Sequence, residues 1–137
     1  EGYDGCAAEP VKIIIAPGGK QMKIGKLLGR AIVQITDDAP ERNCRPAVDY
    51  LFRSLANHYG AEALGVIFTG MGDDGTIGCQ LMKSRGARII AQDQATCVVY
   101  GMPKSVFDAG VVDHVEPLEL IVPRVLAAVE KGVGAVL

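Results

Sequence analysis

Short apolar runs alternate with longer amphipathic segments along this chain, and the alternation predicts strands and helices in turn. Continuous apolar runs bounded by glycine, proline or polar residues predict buried strands at 12–16, 64–69, 88–92 and 111–115. Apolar residues at helical spacing predict helices over 46–59, 76–85, 103–109 and 118–131. Glycines at positions 60, 86 and 132 stand just past predicted helix ends, as is common.

The order of these elements predicts the fold class. Strands that alternate with helices and are apolar on both faces are typical of a parallel sheet buried between helices. Two further runs, Met22–Ile24 and Ala31–Ile35, flank a glycine-containing turn and predict a hairpin. We therefore predict an α/β protein with a doubly wound, mostly parallel sheet, helices on both faces and one antiparallel hairpin.

Composition narrows the classes of function. The 137 residues suffice for one domain with a core, at roughly 100–200 residues per domain. Fourteen Lys and Arg against sixteen Asp and Glu give a net charge of -2, so no basic excess indicates a nucleic-acid partner. No apolar run reaches about 18 residues and no basic-then-apolar leader opens the chain, so we expect neither membrane insertion nor secretion. Four cysteines without C-x-x-C spacing predict reduced thiols in a cytoplasmic protein.

The chemically most informative segment is the turn at 69–75, which reads TGMGDDG. It contains a G-x-G-x-x-G pattern between a predicted strand and a predicted helix, and Asp93 follows Gly70 by 23 residues. These spacings fit a dinucleotide-binding turn. Asp73 and Asp74 occupy its variable positions, however, and each close carboxylate–phosphate pair would cost on the order of 1 kcal/mol. A nucleotide-binding module is therefore a disfavoured alternative.

The two aspartates have two further interpretations. One of them could cap the following helix by accepting its free N–H groups. One could instead orient a histidine in a Ser-His-Asp triad, because loops at the carboxyl ends of parallel strands commonly form ligand sites. The two roles are compatible if each aspartate takes one. A second glycine turn, at 16–20, lacks the length and the hydroxyl of a phosphate-binding loop.

Four motifs together carry a family resemblance. Their sequences are IAPG, RPAVDYLF, TGMGDDG and AQDQATCVVYGMP, at 15–18, 45–52, 69–75 and 91–103. In this order and spacing the chain resembles the C-terminal catalytic domain of the chemotaxis protein-glutamate methylesterases, the CheB family. The resemblance implies a doubly wound α/β fold, hydrolysis of γ-glutamyl methyl esters on bacterial chemoreceptors, and deamidation of certain receptor glutamines.

The same resemblance implies site residues and partners. Asp74 matches the aspartate of the family's Ser-His-Asp triad, and Met71 matches a methionine near the oxyanion region. Asp73 falls on a variable position, and Ala47 stands where serine is frequent in the family. The implied partners are the cytoplasmic domains of methylated chemoreceptors and a receiver domain. No nucleic acid, cofactor or metal ion is implied.

The chain departs from the family pattern in its nucleophile and base. The family's serine and histidine precede the IAPG motif, and the serines of this chain lie within predicted helices rather than in a strand-turn-helix elbow: Ser54, Ser84 and Ser105. Neither His58 nor His114 matches the triad histidine, and both are expected at the surface. A non-catalytic interaction domain of the same fold is therefore a second alternative.

These departures lead to three expectations. Residues 1–137 are expected to be the C-terminal portion of a methylesterase catalytic domain, without its N-terminal strands and helices and without the receiver domain. Such a chain should be inactive by itself. It should also expose an apolar sheet edge, which favours self-association or a partner that covers the edge.

Overall fold

The computed structural model describes residues 1–132, which form five strands, four α-helices and a short 3-10 helix at Gly60–Glu62. The main elements in chain order are β1 (Gln21–Leu27), β2 (Arg30–Thr36), α1 (Val48–Tyr59), β3 (Leu64–Ile67), α2 (Thr76–Ser84), β4 (Arg88–Gln92), α3 (Met102–Asp108), β5 (His114–Glu116) and α4 (Leu118–Lys131). The predicted bounds of β4 and α4 are confirmed, and those of the other helices and of β3 agree within two residues.

The strands β3, β4 and β5 form a parallel sheet in that order, with Leu64 opposite Arg88 and Ile90 opposite His114. Ile89 and Ile90 of the central strand point to opposite faces, and both are fully buried. Ile89 belongs to the main apolar core together with residues of α2 and α3, while α4 contacts β4 and β5. A parallel sheet that is buried on both faces confirms the predicted α/β class.

The predicted hairpin is also confirmed, with longer strands than expected. β1 and β2 pair antiparallel from Gln21 opposite Thr36 down to a two-residue turn at Leu28 and Gly29. Both turn residues have positive φ, 49° and 77°, which is the type I′ geometry that matches the twist of the paired strands. The hairpin packs against α1 and buries Val33 in a second, smaller core.

The prediction of a buried strand at 12–16 is wrong. Ile13 and Ile15 are 93% and 63% exposed, and the segment pairs with no strand in the described part of the chain. Gly2 N–H donates to the Ile15 carbonyl at 2.8 Å without extending into a ladder. An apolar run forms a buried strand only when a neighbouring strand accepts and donates its backbone hydrogen bonds, and local sequence does not report that neighbour.

Two other predicted bounds shift for identifiable reasons. The first helix begins at Val48 rather than Pro46, because the intervening Ala47 has an extended backbone, with φ −111° and ψ 138°. The last strand begins at His114 rather than at position 111. The valines of its first part are half-buried against the main core without strand pairing, so their apolar character reflects packing.

Candidate active site

The turn at 69–75 follows the carboxyl end of β3 and is held against the loop that follows β4. Gly70 N–H donates to the Val99 carbonyl at 3.0 Å, and the Gly70 carbonyl accepts the N–H groups of Gly101 and Met102 at 3.0 and 2.8 Å. A Cβ on Gly101 would lie 2.7 Å from that carbonyl oxygen, so the close approach requires glycine. The two loops thus form one continuous wall at the edge of the sheet where ligands bind in open α/β folds.

Gln92, the last residue of β4, ties the same two loops together. It is 1% exposed. Its Oε1 accepts the Thr69 N–H at 2.8 Å, and its Nε2 donates to the Thr96 carbonyl at 2.8 Å. Asp93 accepts the Thr96 N–H at 3.0 Å and closes that turn. Asp93 therefore has a structural role within its own loop, which argues against the dinucleotide-binding interpretation of its spacing from Gly70.

Asp74 is buried, at 7% exposure, and its carboxylate accepts two backbone donors from α1. Val48 N–H donates to Oδ2 at 2.7 Å, and Asp49 N–H donates to Oδ1 at 2.9 Å. These are the first two amides of α1, which lack partners inside the helix and carry the positive end of its dipole. The expectation that an aspartate of this turn caps the following helix is wrong. Asp74 caps α1, which lies earlier in the chain, and the Asp73 carboxylate accepts a hydrogen bond from Arg42.

The residue before α1 explains why a distant side chain provides the cap. Ala47 occupies the N-cap position, and alanine has no side-chain oxygen to accept the free amides. Its own N–H donates to Oε1 of the buried Gln21 at 2.9 Å. Asp74 therefore carries alone the capping that a serine at position 47 would share.

Asp49 and Arg42 extend the network around Asp74. Asp49 is 3% exposed and accepts the Gly78 N–H, in the first turn of α2, at 2.6 Å. It also accepts Nε–H of Arg42 at 3.2 Å. Arg42 Nη1 donates to Asp73 at 2.5 Å. The two helices are thus capped reciprocally, α1 by the aspartate that precedes α2 and α2 by an aspartate of α1.

Two of the first three backbone amides of α2 already have acceptors within the protein. Gly78 N–H donates to the Asp49 carboxylate, and Thr76 N–H donates to the Asp73 carbonyl at 3.1 Å. A dinucleotide-binding turn needs such amides free for the pyrophosphate. The arrangement therefore argues against the nucleotide-binding alternative.

Met71 lies in the same turn as Asp74 but in the opposite environment. Its side chain is 86% exposed, so the turn presents one apolar side chain to solvent and one carboxylate to the interior. The serine hydroxyls all have partners: those of Ser54 and Ser84 donate to carbonyls three residues earlier at 2.6 and 2.7 Å, and that of Ser105 accepts from Thr76 at 2.8 Å. None of them contacts Asp74.

The two histidines are half-buried, and each keeps part of its surface in solvent. His58 lies near the end of α1 and His114 begins β5, and neither hydrogen-bonds to Asp74. Within residues 1–132, no three His, Cys, Asp or Glu side chains gather in a way that could hold a metal ion. None of the helices in that range combines the length and hydropathy that crossing a bilayer requires.

Comparison with known proteins identifies the family to which this chain belongs. The sequence profile of the family described as CheB methylesterase matches residues 1–125. The chain belongs to the CheB methylesterase family. Membership confirms the resemblance carried by the four sequence motifs.

Relatives in this family show how much of the protein the chain represents. It is 49% identical over 132 residues to the protein-glutamate methylesterase/protein-glutamine glutaminase of Desulfotalea psychrophila, which covers 95% of this chain and 36% of the relative. It is 43% identical over 126 residues to protein-glutamate methylesterase/protein-glutamine glutaminase 4 of Anaeromyxobacter dehalogenans, with 92% and 35% covered. The chain thus spans about a third of the length of these relatives.

A solved member of the family has the same fold. The crystal structure of the Thermotoga maritima CheB methylesterase catalytic domain superposes with a TM-score of 0.90 at 37% sequence identity. The match covers 93% of this chain and 67% of that domain. Sheet, hairpin and helices are therefore those of a methylesterase catalytic domain.

Proposed function

We propose that this chain provides the triad aspartate and one wall of the active site of a protein-glutamate methylesterase that also deamidates protein glutamine. The observation that carries the proposal is the Asp74 carboxylate, buried and fixed by two backbone N–H groups in the loop after β3. The names of the relatives state both activities. The nucleotide-binding alternative is disfavoured by the occupied amides of α2.

Asp74 acts on the reaction through a histidine. A carboxylate has about four acceptor positions, and the amides of Val48 and Asp49 use two of them, which leaves capacity for an imidazole N–H. That hydrogen bond fixes the tautomer of the imidazole and stabilises the imidazolium that forms during the reaction. Because Asp74 is already held on its other side, the carboxylate need not reorganise as this positive charge develops.

The proposed chemistry is acyl transfer in two steps. A serine oxygen attacks the ester carbonyl carbon of a glutamyl methyl ester, and the histidine takes the hydroxyl proton and passes it to the departing methoxide, so methanol leaves. Water then attacks the acyl-enzyme with the same histidine as base, which restores glutamate and the serine. With a glutamine side chain ammonia leaves in place of methanol. Met71 and the glycine-rich backbone beside it shape the wall around the acyl carbon.

The proposal includes the partners of the reaction. Its substrates are glutamyl methyl esters and glutamines on the cytoplasmic domains of chemoreceptors, and its regulator is a receiver domain. The reaction accordingly takes place in the cytoplasm. These assignments rest on family membership and on the activities in the names of the relatives.

Methanol release from a methylated receptor cytoplasmic domain tests the proposal. We expect none above buffer from the 137-residue chain, because its serine hydroxyls are engaged elsewhere and neither histidine contacts Asp74. A hybrid in which this chain replaces the matching part of the Thermotoga maritima catalytic domain contains the remainder of that domain, and we expect it to release methanol. Hydrolysis by the chain alone would reveal a nucleophile within it. A folded but inactive hybrid would support the alternative of a non-catalytic interaction domain.

A further inference from the structure

A closed ring of contacts surrounds the Asp74 carboxylate. Asp74 binds the amino end of α1 through two amides, and Asp49 in the first turn of α1 binds the Gly78 amide in the first turn of α2. Gly78 and Asp74 are only four residues apart in the chain, so the backbone between them closes the ring. Two buried carboxylates therefore connect the same pair of helices in opposite directions, and the position of each depends on the other.

Arg42 holds this ring from outside. Its Nε–H donates to Asp49, and its Nη1 donates to Asp73, the residue beside Asp74. The planar guanidinium fork fixes the separation of two carboxylates, whereas a lysine ammonium is a single mobile point charge. The guanidinium also gives the buried Asp49 carboxylate an ionic partner, with Arg42 Nε 3.2 Å from its oxygen.

We propose that Asp49, held by Arg42, is a positioning residue that sets the location of the Asp74 carboxylate. Its catalytic meaning rests on the proposed function, and its structural part rests on the contacts alone. If Asp49 no longer accepts the Gly78 N–H, the first turn of α2 is free to move, and the adjoining Asp74 moves with it. A displacement of about 1 Å in a catalytic group can lower a rate up to ~100-fold, so the effect should fall on kcat rather than on KM.

Amide hydrogen exchange of the 137-residue chain tests the structural part. Arg42→Lys keeps the positive charge and substitutes neither aspartate. Arg53→Lys is the matched control, because Arg53 pairs with Glu41 on the exposed side of α1. We expect the amides of Val48 and Gly78 both to exchange roughly fivefold faster in Arg42→Lys and to be unchanged in the control. Faster exchange at Gly78 alone would mean that Asp49 only caps α2, and it would overturn the proposal. Unchanged exchange at both amides would also overturn it.

Kinetics of the hybrid domain test the catalytic part. Arg42→Lys and Asp49→Asn should each lower kcat about tenfold with KM within about twofold, and should move the acidic limb of kcat/KM to lower pH, because a displaced carboxylate stabilises the imidazolium less. Added to Asp74→Asn, Arg42→Lys should lower kcat no further. Full loss in Asp74→Asn with native kcat in both other variants would overturn the positioning role. Native kcat in Asp74→Asn would instead refute the proposed function, and the exchange measurement would still decide the structural part.

Discussion

Replacing Asp74 by alanine should destabilise the chain far more than an ordinary surface change. The substitution leaves the Val48 and Asp49 amides without their acceptor, at a site where Ala47 has no side-chain oxygen to replace it. Loss of a helix cap costs about 1 kcal/mol, and hydrogen bonds to charged groups contribute about 1.5–3 kcal/mol each. Since water can reach part of this site, we expect a loss of about 3 kcal/mol, a large share of the ~5–15 kcal/mol of a typical domain.

Urea unfolding followed by circular dichroism measures this loss. Asp74→Ala should shift the midpoint with the slope unchanged, and Asp74→Asn, which keeps one acceptor oxygen but turns an NH2 donor toward the other amide, should lose a comparable amount. Asp108→Ala is the control, because Asp108 forms an exposed pair with Lys104 within α3, and exposed pairs contribute little to stability. A loss below about 1 kcal/mol in Asp74→Ala would refute the reasoning that this carboxylate carries the cap of α1.

Groups away from the site give further checks. Burial alone would raise the pKa of Asp113, but the hydrogen bond from Lys83 and that from a backbone N–H outweigh it, so the pKa lies below its ordinary 3.8. The resulting stabilisation is present above that value and is lost as the pH falls through the folded-state pKa, so Asp113→Asn should flatten the acid limb of stability against pH. Burial raises the pKa of the Cys79 thiol to about 12, so a thiol reagent should label it only as fast as the chain unfolds, and immediate labelling would contradict its burial. The exposed Ile13 and Ile15 predict self-association that serine at both positions abolishes, and a monomer in concentrated sedimentation runs would contradict this.

The elements that the sequence predicts correctly are those that form because of residues within the element itself. β4 and α4 have their predicted bounds because a short apolar run between polar residues and a helical apolar stripe before Gly132 are complete within themselves. The type I′ turn at Leu28 and Gly29 likewise needs nothing outside the hairpin. The 12–16 segment is equally apolar, yet no strand of residues 1–132 pairs with it, and an apolar pattern carries no information about pairing.

The candidate site also combines features that local sequence reveals with features that only tertiary packing determines. The TGMGDDG turn and Asp74 stand out in the sequence, because glycines and paired carboxylates after a strand have few local explanations. The cap that Asp74 provides goes to α1, a choice made by tertiary packing and by the missing oxygen of Ala47. Asp49 lies within the RPAVDYLF motif, but an acidic residue in the first turn of a helix is ordinary, so the sequence assigns it no role. Arg42 lies outside the four motifs. Only the burial of Asp49 and its contact with Arg42 identify them.

The turnover of the hybrid catalytic domain with and without the Asp74 carboxylate tests the central claim most directly. Asp74→Asn keeps the shape of the side chain but no longer holds the tautomer of the histidine or stabilises its cation, so methanol release should fall by about 10³–10⁴-fold in kcat. The folded fraction, checked by circular dichroism, should stay above nine-tenths, which separates catalysis from capping. Turnover of the Asp74→Asn hybrid within about threefold of the native hybrid would contradict the account and leave Asp74 as a helix cap alone.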